Sequence, residues 1–146
     1  MSHEKPGSTE EHRAARDPKP GRPYMPGYGI KAADEGEGLL PWDWAVERLT
    51  NSRGYWVSTV RPDGTPHCMA VWGIWIDNRF LFSTGAQSRK ARNLAANPKC
   101  VISTDRSEQA VVVEGIVERN TDPELLREFC RAYQEKYKWD TSDFNE

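Results

Sequence analysis

Three short apolar segments between residues 55 and 83 constrain the fold more than any other part of the chain. Residues 55–60 and 79–83 are rich in β-branched and aromatic side chains, and residues 65–76 form a longer apolar run that contains Gly73. Pro62 and Gly64 stand at the second and fourth positions of a turn, and residues 77–78 make a second, tight loop. Segments joined by such short connections pair antiparallel. The sequence therefore predicts three consecutive antiparallel strands.

A basic helix start follows these strands directly. Ser88 is predicted to be the N-cap of a helix that ends before Pro98. The helix dipole favours negative side chains in the first turn. That turn instead carries three cations, which are Arg89, Lys90 and Arg92. Two interpretations stay open: a solvated basic face, or a phosphate cradle that the Ser88 and Thr84 hydroxyls and the free N–H groups of the helix complete.

The remaining elements surround this centre. Helical spacing predicts a helix over residues 41–51, and strands are predicted over residues 99–103 and 109–118, with a bulge or a close backbone approach at Gly115. A capping box over residues 121–124 begins a last helix that reaches about residue 138. Its apolar stripe is predicted to comprise Leu126, Phe129, Cys130, Tyr133 and Tyr137. The order predicts a mainly β, α+β fold, a small antiparallel barrel decorated by helices.

The two faces of the run over residues 66–76 are both apolar. One face is predicted to carry His67, Met69, Val71, Gly73 and Trp75, and the other Cys68, Ala70, Trp72 and Ile74. Such a strand is expected to be covered on each side. One cover is the barrel interior, and the other is either a partner subunit or a flat aromatic ligand. A plain core strand with a dimer contact is the alternative.

Residues 1–37 differ in composition from the rest. They hold five of the ten prolines, many glycines and few aliphatic side chains. A segment with so little apolar surface cannot offset the entropy of ordering. We therefore predict an extended or disordered N-terminal arm over residues 1–37 and one folded domain over residues 38–146.

Composition excludes several classes of function. The net charge of −2 argues against nucleic acid as a partner, and no apolar run approaches the roughly 20 residues of a membrane span. The polar N-terminus without an apolar signal core predicts a cytoplasmic protein. Three widely spaced cysteines are expected to be reduced thiols, and no metal site is predicted.

The conventional catalytic motifs are absent from the sequence. His67 is the only histidine within residues 38–146, and a lone strand histidine is more often structural than catalytic. No catalytic residue is therefore assigned. An enzyme without strong acids, bases or nucleophiles relies on a cofactor for its reactivity.

The spacing Thr84, Ser88-Arg89-Lys90-Ala91, set behind the hairpin over residues 65–78, resembles a known family. It is similar to the pyridoxamine 5′-phosphate oxidase-like flavin-binding split barrels and to their branch that uses the deazaflavin coenzyme F(420). The similarity runs from about residue 39 to residue 139. It implies a six-stranded split barrel that forms a homodimer, with FMN or F(420) in a groove at the interface.

The resemblance also implies a site. The cofactor phosphate would lie on Thr84, Ser88, Arg89 and Lys90, with Arg92 beside them. The backbone of Met69, Ala70, Val71 and Trp72 would lie beside the isoalloxazine or deazaflavin ring. Hydride transfer would take place at that ring, and the protein would orient the reactants and exclude water.

The chain departs from the family pattern in two ways. Nothing basic stands between His67 and Arg79, where true pyridoxamine phosphate oxidases carry basic residues, so a less polar substrate or another reductase activity is expected. Relatives also continue past the last helix with at least one more strand. Three alternatives stay open: an incomplete barrel, a barrel completed by the N-terminal arm, or a chain truncated after Glu146.

Two functions follow from these expectations. The first is a homodimeric flavin- or deazaflavin-dependent oxidoreductase that acts on a small organic molecule. The second is a non-catalytic split-barrel protein that binds or sequesters a cofactor or another ligand in the same groove.

Overall fold

A computed structural model of the protein describes residues 17–32, 35 and 38–142. The chain divides into two compact units, Met1–Trp42 and Asp43–Glu146. In the first unit a short 3-10 helix, Pro26–Tyr28, ends at Gly29 with a left-handed backbone. Much of the predicted arm, and the chain end after residue 142, lie outside the described residues, so the domain boundary at residue 38 stays a prediction.

The described part of the chain contains three α-helices and six strands. They are α1 (Trp42–Asn51), β1 (Tyr55–Val60), β2 (Pro66–Val71), β3 (Ile74–Ile76), β4 (Arg79–Leu81), α2 (Arg89–Ala96), β5 (Lys99–Thr104), β6 (Val112–Ile116) and α3 (Pro123–Tyr137). Strands β2, β1, β5 and β6 form one antiparallel sheet in that order, and β3 and β4 form a second. The predicted α+β fold is confirmed. No helix among the described residues is long and apolar enough to cross a membrane.

Both predicted tight turns are present. The N–H of Gly64 donates to the carbonyl oxygen of Arg61 over 2.8 Å, and Gly64 has a φ of +86°. Asp77 and Asn78 have φ values of 47° and 56°, which is the left-handed pair that a two-residue hairpin loop requires. Because these turns are set by residues within four positions of each other, their sequence signals were sufficient to predict them.

The prediction of one continuous strand over residues 65–76 is wrong. The chain leaves the four-stranded sheet after Val71 and enters the two-stranded sheet at Ile74. At the break, the N–H and the carbonyl oxygen of Gly73 bond to the Tyr137 hydroxyl. The three predicted strands are therefore four, divided between two sheets.

Burial differs between the two sides of the break. Ile74 and Trp75, which were assigned to opposite faces, are both buried, as the expectation of two covered faces requires. On β2, which lies at the edge of its sheet, Cys68, Met69 and Ala70 are exposed. The expected cover of this exposed part, by a partner subunit or a flat ligand, therefore stays a prediction.

The break separates two hydrophobic clusters. The first consists of Tyr55, Val57, Cys100 and Ile102, with half-buried neighbours from β4 and α2. The second joins the two-stranded sheet to α3 and consists of Ile74, Phe129, Tyr133 and Tyr137. The predicted apolar stripe of α3 is confirmed for its three aromatic residues. Leu126, at the start of the stripe, is 44% exposed.

Two smaller expectations are also wrong. Gly115 pairs regularly with Cys100, and a side chain added there would meet no atom within 4 Å, so it marks neither a bulge nor a close approach. The N-cap of α3 is Asp122, whose carboxylate accepts from the N–H of Glu124 over 3.0 Å. A cap at Asp122 replaces the predicted capping box because Pro123 then occupies the first helical position.

Gly73→Ala should destabilise the protein. A Cβ at this position would overlap the Phe80 ring and lie 3.0 Å from the carbonyl oxygen of Leu81. The Phe80 ring has little room to move, because it packs 4.5 Å from the Tyr55 ring. We expect a loss of about 1–3 kcal/mol in the free energy of unfolding, typical of overpacking, measured by urea denaturation.

Gly115→Ala is the matched control. It adds the same methyl group to a glycine of a strand, in open space and without a positive φ. Its unfolding midpoint should stay at or slightly above that of the wild type. Equal midpoints for the two variants would contradict the close packing at Gly73.

Candidate functional site

The turn before α2 has the cap geometry that the sequence predicts. Ser88 has an extended backbone, and its hydroxyl accepts from the N–H of Ala91 over 3.2 Å. The Ser88 N–H donates to the carbonyl oxygen of Gly85 over 2.9 Å, which closes the turn. The helix ends at Asn97, directly before Pro98. The predicted N-cap and helix stop are both confirmed.

Three of the predicted phosphate ligands form one hydrogen-bonded group. The hydroxyl oxygens of Thr84 and Ser88 lie 2.9 Å apart, and the Lys90 Nζ donates to the Thr84 hydroxyl over 3.1 Å. All three side chains are half-buried. The structure thus brings together side chains that are up to six positions apart in the sequence.

The two arginines of this turn are placed differently. Arg89 is exposed at the first position of α2. Arg92 is also exposed, and its guanidinium donates to the amide oxygen of Gln87 over 3.2 Å. In the described part of the chain, no carboxylate lies within 4.0 Å of Arg89, Lys90 or Arg92. The assignment of these cations to a phosphate stays a prediction.

A buried hydrogen bond fixes α2 to the central strand. Asn93 is fully buried, and its amide nitrogen donates to the Thr59 hydroxyl over 3.0 Å. Thr59 is the residue of β1 that pairs with His67 on β2. The basic helix start and the edge strand are therefore both positioned by β1.

The predicted ring-binding segment lies on that edge strand and at the break. Met69 is 53% exposed and Trp72 is 41% exposed, while Val71 is half-buried. Every second residue of an edge strand directs its N–H and carbonyl groups away from the sheet. The segment Met69–Trp72 therefore offers exposed apolar side chains next to a strand edge that no other described strand pairs with, and its contact with a cofactor ring stays a prediction.

The sequence interpretation missed Lys136. Its Nζ donates to the Tyr55 hydroxyl over 2.8 Å and to the carbonyl oxygen of Gly73 over 3.2 Å. Burial lowers the pKa of Lys136 to about 8, although the carboxylate of Asp105 partly opposes the shift. The available signal was its position three residues after Tyr133, at the border of the aromatic stripe of α3.

A family model described as pyridoxamine 5′-phosphate oxidase matches residues 43–145. The chain belongs to this family. A curated pyridoxine/pyridoxamine 5′-phosphate oxidase from Pseudomonas paraeruginosa is 38% identical over 71 residues, which are 47% of this chain and 33% of that protein. The chain therefore spans about a third of the length of the curated relatives it matches. The resemblance found in the sequence is confirmed at the level of the family.

Solved structures share the fold. A conserved hypothetical protein from Mycobacterium tuberculosis is 28% identical with a TM-score of 0.61, over 73% of this chain and 69% of that chain. An F(420) reductase is 24% identical with a TM-score of 0.55, over 70% and 82% of the two chains. A heme binding protein from Mycobacterium smegmatis is 21% identical with a TM-score of 0.54, over 73% and 50%. The last two likenesses show the fold alone, and the names of these two proteins refer to different ligands.

Lys136→Met should change how stability depends on pH. The pKa of Lys136 is about 8 in the folded protein and near 10.5 for a free lysine, so the unfolded chain binds more protons between these values. Burial of the charged lysine therefore lowers stability below pH 8, and this cost is relieved as the pH rises. We expect the free energy of unfolding of the wild type, relative to Lys136→Met, to increase between about pH 7 and about pH 9.5.

Urea denaturation at both pH values measures this difference. Lys136→Arg is the matched variant, because an arginine stays charged throughout this range and should remove the same pH dependence. A difference between wild type and Lys136→Met that is equal at both pH values would contradict a buried, titrating lysine.

Proposed function

We propose that this protein is a flavin- or deazaflavin-dependent oxidoreductase that acts on a small organic substrate. The observation that carries the proposal is the group of Thr84, Ser88 and Lys90 at the start of α2. The family, and the F(420) reductase among the structures of this fold, support it.

The chemistry of the helix start fits a phosphate. Two hydroxyls, one ammonium and one guanidinium can all donate hydrogen bonds to phosphate oxygens. The N–H groups of Arg89 and Lys90 belong to the first turn of α2, where no intrahelical acceptor exists. Because no carboxylate among the described residues neutralises these cations, a bound dianion would supply the missing negative charge.

The chemistry of the edge strand fits a flat ring with polar margins. Met69 and Trp72 supply apolar surface, and the free backbone groups of β2 supply donors and acceptors. A bound flavin or deazaflavin would supply the hydride-transfer chemistry. The chain itself would hold the phosphate at α2, align the ring along β2 and exclude water with its exposed apolar side chains.

The outer face of the four-stranded sheet supports a homodimer. Trp56, Val112 and Ile116 are 46%, 58% and 69% exposed. Trp56 pairs with Ser103, which pairs with Val112, so these residues form a row across the same face. A second copy of the chain would cover this apolar surface and close the groove beside β2.

A non-catalytic binding protein is the second candidate. The segment Met69–Trp72 carries no acid or base that could transfer a proton, and one structure of this fold is titled a heme binding protein. A bound cofactor that neither accepts nor gives up electrons with any donor or acceptor would favour this function over an oxidoreductase.

Lys90→Ala and Arg89→Ala should weaken cofactor binding without unfolding the protein. Each removes a charge-assisted hydrogen bond worth roughly 1.5–3 kcal/mol, so the dissociation constant should rise about 10- to 150-fold. The measurement is a titration of each protein with FMN and with F(420), followed by absorption and fluorescence.

Arg127→Ala removes an exposed cation of α3 and should leave the affinity unchanged. If wild-type protein binds neither cofactor at micromolar concentration, the proposed function is wrong. If Lys90→Ala binds as well as wild type, the phosphate does not lie at α2. If Lys90→Ala unfolds the domain, the basic cluster is structural.

A further inference from the structure

Two adjacent side chains of α3 hold the peptide groups of Gly73. The Tyr137 hydroxyl accepts from the Gly73 N–H over 3.0 Å and donates to the Gly73 carbonyl oxygen over 2.9 Å. The same carbonyl oxygen accepts from Lys136 Nζ over 3.2 Å. Both backbone polar groups of the residue at the break between β2 and β3 are thus bonded by side chains and not by a neighbouring strand.

The same tyrosine contacts the side chain that precedes the break. The Trp72 indole stacks on the Tyr137 ring, with centroids 4.7 Å apart and planes 4° from parallel. The Trp139 ring packs edge-on against the Trp72 indole, with the two ring centroids 6.0 Å apart. Tyr137 therefore orients both the backbone at Gly73 and the indole at Trp72.

Lys136 is itself held from several sides. Its second hydrogen bond goes to the Tyr55 hydroxyl, which donates in turn to the carbonyl oxygen of Leu49. Its ammonium lies 4.8 Å from the centre of the Tyr55 ring and 5.2 Å from that of Tyr137. Arg53 and Asp105 are the charged neighbours, and they act in opposite directions. A neutral amine keeps enough hydrogens for both bonds, so deprotonation does not release the contact.

We propose that Lys136 and Tyr137 are positioning residues for the ring-binding segment Met69–Trp72. By holding the Gly73 peptide and the Trp72 indole, they set the course of the chain along the exposed edge of β2. This inference rests on the proposed function, in which a cofactor ring lies against that edge. A correctly shaped edge avoids the cost of ordering the segment when the ring binds.

The first test follows Trp72 in protein without cofactor. Fluorine NMR of protein labelled with 5-fluorotryptophan resolves the six tryptophans, and Trp72→Phe identifies the signal of Trp72. Tyr137→Phe, which keeps the ring but loses both hydrogen bonds, and Lys136→Met should shift or broaden this signal. In Lys136→Arg the Trp72 signal should have its wild-type position and width. Lys138→Met, which changes an exposed neighbouring residue, should also leave the signal unchanged.

The second test separates the two ends of the groove. Tyr137→Phe should weaken the binding of FMN and of riboflavin by the same factor, about tenfold, because the segment must then be ordered when the ring binds. Lys90→Ala should lower the affinity for FMN and leave the affinity for riboflavin unchanged, because riboflavin has the ring and no phosphate. The double variant should lose affinity for FMN by the product of the two factors.

The outcomes distinguish the inference from the function on which it rests. If Tyr137→Phe lowers the unfolding midpoint while the Trp72 signal stays unchanged, or while flavin affinities stay unchanged, Lys136 and Tyr137 are only structural and the inference is wrong. If wild-type protein binds neither flavin nor F(420), the proposed function is wrong and the inference falls with it, whatever the NMR shows.

Discussion

The architecture depends on the lack of a side chain at Gly73. Only a glycine can bring the backbone this close to the Phe80 ring and the Leu81 carbonyl oxygen. The close approach lets the chain leave one sheet and enter another within two residues, Trp72 and Gly73. It also turns the peptide groups of Gly73 toward α3, where Tyr137 and Lys136 bond to them. Gly73 lies where the chain passes from one sheet to the other and between the two hydrophobic clusters.

The central strand β1 connects the basic helix start, the edge strand and Lys136. The Thr59 hydroxyl accepts a hydrogen bond from Asn93 of α2, and Thr59 pairs with His67 of β2. The basic helix start and the edge strand are therefore both positioned by the same residue. Tyr55, at the other end of β1, accepts from Lys136. Groups that are far apart in the sequence are in this way held by one strand of the sheet, and a preorganised binding site requires such an arrangement.

The cations at the start of α2 and the cation of Lys136 have different surroundings. The start of α2 places cations where the helix dipole is also positive, and no described carboxylate compensates them. Lys136 is the opposite case, since its ammonium is held by a hydroxyl, a carbonyl oxygen and two aromatic rings. An unsatisfied positive surface suits the binding of an anion, whereas a satisfied and half-buried cation suits the positioning of backbone.

Local signals in the sequence determined the family, the order of helices and most strands, both tight turns, and the Ser88 cap, because each depends on residues a few positions apart. The sequence showed that Gly73 interrupts the apolar run over residues 65–76, but it did not show that the strand breaks there. The partner that breaks the strand, Tyr137, lies 64 residues further along the chain. Only the tertiary structure decided where β2 ends, which of its residues are exposed, and that Lys136 faces Tyr55. Such contacts join residues whose separation in sequence carries no periodic signal, so packing alone selects them.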